Sequence, residues 1–112
     1  MESILTSIKK LLGPTEEDTS FDVDITIHIN TAFTRLRQLG VGPAEGFRII
    51  DKKDEWADFT GDSETLENVK TYIYLKTKLV FDPPSNSAVL ESMKQQIAEL
   101  EWLLNVDNDT TE

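Results

Sequence analysis

Residues 69–81, VKTYIYLKTKLVF, and residues 88–105, AVLESMKQQIAELEWLLN, with Asp82-Pro83-Pro84-Ser85-Asn86-Ser87 between them, decide the fold. The first run is apolar over most of a helical circumference, which predicts a helix enclosed by neighbours. Two adjacent prolines remove two backbone donors and drive Asp82 out of helical geometry, so the first helix must end there. Ser85, Asn86 and Ser87 are all N-cap types, so a second helix can start at once from any of them. In that second helix Leu90, Met93, Ile97, Leu100 and Leu104 are spaced 3, 4, 3, 4, which is the core-facing stripe of a bundle helix. Asp82, Pro83, Pro84 and Ser85 thus form a rigid corner between two helices.

The central helix is expected over about 64–81, introduced by Gly61-Asp62-Ser63 with Asp62 or Ser63 as its cap. Leu66, Val69, Tyr72, Ile73, Leu75, Leu79 and Val80 cover about half of it. Tyr74 and Phe81 point to the other half, beside Lys70 and Lys78. Lys76 falls inside the apolar arc, so its amine either snorkels to water or pairs with a carboxylate.

Upstream, Ile25, Ile29, Ala32, Phe33, Leu36 and Leu39 share one helical arc, predicting a helix over about 22–39 with Thr19 or Ser20 as cap. Gly40 can take the left-handed position after it, with Val41 folding back on Leu36. Val23 and Ile27 project away from the main stripe and either touch a second element or stay exposed. His28, the chain's one histidine, reads as a partly buried structural residue. Ile4, Leu5, Ile8, Leu11 and Leu12 predict a short amphipathic helix stopped by Gly13-Pro14.

Residues 40–62 are loop-rich. Phe47, Ile49 and Ile50 are expected to form a short extended piece, and 55–59 one helical turn that plugs Trp56 and Phe59 into the core. The fold class is therefore all-α, a small bundle of about four helices with a loop-rich insertion at about 40–62. Residues 1–106 form one domain and 107–112 a flexible acidic tail.

Eleven basic residues against 21 acidic ones leave a charge of −10, which argues against gripping DNA or RNA. No helix carries a basic recognition face. With no cysteine there is neither a disulfide nor a thiolate metal site. The acids at Asp51, Asp54, Asp58 and Asp62 lack the glycine and closing glutamate of a calcium loop and read as solvated charge. No nucleophile–base arrangement and no phosphate-binding glycine loop is present, so neither enzyme activity nor a cofactor is expected. No apolar run is long enough to cross a bilayer, and no signal peptide is visible.

The informative residues are apolar ones on the wrong faces: Val23, Ile27, Tyr74, Phe81 and, above all, Trp102, which lies nearly opposite the 90–104 stripe. Large apolar groups on polar faces mark candidate subunit or partner interfaces.

The run INTAFTRLRQLGVGPAEGF, the segment DEWADF and the 69–105 block resemble the head–tail connector (head-completion, adaptor or "DNA-packaging") proteins of long-tailed phages and prophages. The likeness spans about residues 3–106. It implies a small all-α structural protein of the virion, made in the host cytoplasm, that forms a homo-oligomeric ring, commonly of twelve subunits. The ring would sit under the portal protein, meet a downstream head-closure or tail-joining protein, and pass DNA through its channel without sequence-specific binding. The alternative from composition is a monomeric acidic helical inhibitor or DNA mimic.

Overall fold

The structure, a computed structural model, describes residues 3–13, 19–43, 45–59 and 63–110, with side chains left undescribed at 63–64 and 106–110. Among the described residues five helices follow one another: α1 (Ile4–Leu12), α2 (Asp22–Gln38) entered through a 3-10 turn at Thr19–Phe21, the one-turn α3 (Trp56–Phe59), α4 (Ser63–Phe81) and α5 (Ser87–Thr110). Four of them are long enough to build a bundle, so the all-α expectation holds.

α4 is the axis. It packs against α2, α5 and α1, as its all-round apolarity demands. Val69, Tyr72, Ile73 and Leu75 are buried along it, facing Ile25, Ile29, Phe33 and Leu36 of α2 and Met93, Ile97 and Leu104 of α5 within one continuous core. One assignment on α4 is corrected. Val80, expected in the core, is exposed, whereas Phe81 is half-buried against it. The ring of Phe21 meets Phe81 edge-on at 5.5 Å, so the 3-10 turn covers the end of α4.

The ends of the helices show which of the open caps are used. Ser3 accepts a hydrogen bond from Thr6 N at the start of α1. α2 is different: its cap position is Phe21, with no side-chain hydrogen bond, so neither Thr19 nor Ser20 occupies it. Asp22 and Asp24 in the first turn still complement the helix dipole. At the far end Gly40 has φ 83°, its N–H donates to Arg37 O, and Val41 N donates to Leu36 O. Those two bonds are the paired closure of a Schellman turn, and Val41 is buried beside Leu36 as the pattern predicts. At the corner, Asn86 Oδ1 accepts from Ala88 N at 2.8 Å and Val89 N at 3.2 Å, so Asn86 is the cap of α5 and Ser85 is not. α5 continues to Thr110, beyond the end near Asn105 that the apolar stripe predicts. The cap of α4 at Asp62 lies outside the described residues.

The insertion is held by side chains more than by backbone pairing. Phe47 and Phe59 stack around Phe33 with centroids 4.9–5.3 Å apart, and Trp56 donates from Nε1 to Ser7 Oγ at 2.8 Å. Gly42, at φ 89°, lies against the Phe59 ring, where no side chain would fit. The expected extended piece at 47–50 forms no strand; the isolated bridge between Ser3 and Glu55 is the one β-type pairing among the described residues. Asn30 of α2 replaces a partner strand. Its Nδ2 donates to Ile49 O at 3.0 Å and its Oδ1 accepts from Ile49 N at 2.7 Å. Asn30→Ala is expected to destabilise by about 1–3 kcal/mol, because both backbone groups of buried Ile49 lose their partner. Chemical denaturation measures that cost, and amide exchange should quicken first at residues 47–53.

Candidate assembly surfaces

The acids that resemble a calcium loop serve the backbone. Asp54 Oδ2 accepts from Ile50 N and Asp51 N, Asp51 Oδ1 from Lys53 N, and Asp58 Oδ2 from Glu55 N. No group of residues able to hold a metal ion occurs among the described residues, and Asp62 lies outside them. His28 is half-buried on α2. Among the described residues no helix is long and apolar enough to cross a membrane.

Two polar networks tie the helices together. In the first, buried Lys9 of α1 reaches Asp22 at 2.7 Å, tying α1 to the first turn of α2. The one-sided pattern of α1 gives no sign that Lys9 turns inward. In the second, Tyr72 of α4 donates to Glu101 Oε2 at 2.7 Å, and Arg35 of α2 reaches both Glu101 oxygens at 3.4–3.5 Å. Three helices thereby meet on one carboxylate. Lys76 lies over the Tyr72 ring at 5.9 Å, so it resolves its place in the apolar arc by contact with an aromatic face.

Burial alone would push the Glu101 carboxyl up. The hydrogen bonds from Tyr72 and Arg35, with the charges of Arg35 and Lys76, outweigh it and hold Glu101 below its ordinary 4.5. For Tyr72, burial first and then the bond to Glu101 push the phenol above its ordinary 10. The signs follow from linkage. A depressed carboxylate contributes stability that is present above about pH 4.5 and lost as pH falls through its folded value. The raised phenol contributes stability that is present below about pH 10 and lost above it. Glu101→Gln is expected to flatten the acid limb of a melting-temperature profile below pH 4.5.

The apolar residues singled out in the sequence separate into two groups. Tyr74 and Phe81 are half-buried and pack against the core, so they contribute edges rather than free surface. Val23, Ile27 and Trp102 are exposed, by 72%, 55% and 67%. Val23 and Ile27 line a cleft of about 520 Å³ between the outer side of α2 and residues 48–53. Ile50, 78% exposed, joins them there; its apolar character is visible in the sequence, but its placement opposite α2 is set by the Asn30 clamp on Ile49. Trp102 stands on α5 with Leu103 beside it, and Val89 is exposed nearer the start of that helix. At the corner, Asp82, Pro83 and Ser85 are exposed and Pro84 is half-buried, with Lys78 reaching Asp82 at 3.4 Å.

The distinguishing features of this helical bundle are its exposed apolar surfaces. The chain belongs to the phage connector protein family, whose profile matches residues 4–111. This is a family of structural proteins, not of enzymes, with a role at the junction of phage head and tail. No curated protein and no solved structure matches the chain.

Proposed function

We propose that the chain is one subunit of a ring that docks beneath the portal, joins it to the tail machinery and prolongs the channel for DNA. Family membership supports a connector role in the virion. The observation that carries the ring is the presence of two separate exposed apolar surfaces on one 112-residue domain, the α2 cleft and the Trp102 region. A subunit in a closed ring needs two different patches, one for each neighbour. The charge of −10 suits a conduit through which DNA slides without being held. The rigid corner at Asp82-Pro83-Pro84-Ser85 sets how α5 leaves α4, and so the angle between the two patches.

Native mass spectrometry of the protein alone and mixed with its portal tests the reading. A closed oligomer of one size on the portal is expected, whether or not the free protein is a monomer. A strict monomer that ignores the portal at high concentration overturns it. Replacing Pro83 and Pro84 together by alanine is expected to broaden the distribution of oligomer sizes in the same spectra. An unchanged single size would remove the corner from the account.

A further inference from the structure

We infer that the cleft between α2 and residues 48–53 is the socket for Trp102 of a second copy of this chain. The inference rests on the ring reading and names the two surfaces that mate. The socket has an apolar wall, Val23, Ile27 and Ile50, and a basic rim, Arg48, Lys52 and Lys53, all exposed. The rim holds three of the chain's eleven basic residues within six positions. None of the three forms an ion pair among the described residues. Of the carboxylates nearby, Asp22 in the lining pairs with Lys9, and Asp51 and Asp54 accept hydrogen bonds from loop amides. A strongly acidic protein thus sets three cations without ion-pair partners among the described residues beside an exposed apolar hollow.

The matching knob is on α5. Trp102 is 67% exposed and Leu103 lies next to it. The residues one turn earlier on the helix are small Ala98 and exposed Glu99, so the indole projects with a carboxylate at its base. No basic residue follows Lys94 in the sequence, whereas Glu99, Glu101, Asp107 and Asp109 do. An aromatic knob within an acidic stretch meets an apolar socket within a basic rim, which is complementarity of both shape and sign. A cleft of about 520 Å³ has room for an indole and a flanking leucine.

The knob cannot enter the socket of its own chain. Trp102 follows Glu101, which is held by Arg35, and Ile27 lies eight residues before Arg35, about 12 Å along α2. The contact is therefore between copies and heterologous, leaving each subunit one free knob and one free socket. Such contacts propagate until the ring closes.

The chain has no cysteine, so introduced thiols report on this pairing alone. Ile50→Cys marks the socket rim and Leu103→Cys the knob; each is treated with a short bismaleimide under conditions where the protein, alone or on its portal, is oligomeric. Covalent dimers are expected when the two single variants are mixed, ladders when one chain carries both changes, and neither from a single variant alone. Glu99→Lys should raise the apparent Kd of self-association about tenfold, and Lys52→Glu with Lys53→Glu should restore it. Cross-linking of Leu103→Cys with itself, or of Ile50→Cys only to the portal, overturns the inference. Oligomers that form without the Ile50–Leu103 link overturn it while leaving the ring reading intact. A failure to form oligomers under any of these conditions overturns both.

Discussion

Asp22→Ala is expected to lower the stability of the fold by about 2–3 kcal/mol, whereas Lys9→Met should cost less than about 1 kcal/mol. The asymmetry comes from burial. Lys9 is enclosed, and its partner Asp22 is the more exposed of the two, with 29% of its side chain accessible. Removing the carboxylate leaves an ammonium inside with nothing to balance it, while removing the ammonium leaves a carboxylate whose Oδ1 is buried but whose side chain as a whole is partly open to water. Asp22→Ala also loses a favourable charge from the first turn of α2. A protein of this size would melt on the order of 10 °C lower. The double variant should regain most of the loss, because the buried charge is gone. Thermal melts of the three variants measure the coupling directly; strictly additive effects would show that the two groups do not depend on each other.

The second large effect is on assembly. Trp102→Ala is expected to weaken subunit association by at least about 2 kcal/mol, roughly thirtyfold in Kd, since buried tryptophans are the usual anchors of interfaces. Its effect on folding should stay within about 0.5 kcal/mol, because the indole is largely in solvent in the single chain. Association measured by analytical ultracentrifugation, set beside a denaturant titration, separates the two. Parallel losses in both would make the indole a core residue.

The two effects concern different layers of the molecule. The Lys9–Asp22 and Arg35–Glu101–Tyr72 groups hold α1, α2, α4 and α5 in one rigid body. Rigidity is what lets a knob on α5 and a socket on α2 keep a constant angle, since loosely held patches would lose much of their contact energy to ordering.

Periodicity was enough to place the helices, though not the end of α5. The buried stripe at Ile25, Ile29, Phe33 and Leu36, the all-round run from Val69, the Leu90-to-Leu104 seam and the breaks at Gly13, Gly40 and Pro83 all reflect local backbone chemistry and a 3.6-residue repeat. Exposure of Trp102 followed as well, because a residue opposite a buried stripe has few places to hide, whereas for Val23 and Ile27 the sequence left burial against a second element open. What only the tertiary structure decided are matters of three-dimensional proximity between distant positions. Lys9 is turned inward by Asp22, Asn30 takes the place of a strand for Ile49, and Phe21 of the 3-10 turn covers Phe81. Lys52 and Lys53 read only as part of a loop-rich stretch until the fold sets them, with Arg48, around Val23 and Ile27. A helical repeat specifies which side faces the core, but contacts across 13 to 29 residues, such as Lys9 with Asp22 or Tyr72 with Glu101, depend on how whole helices cross, and that is settled by packing.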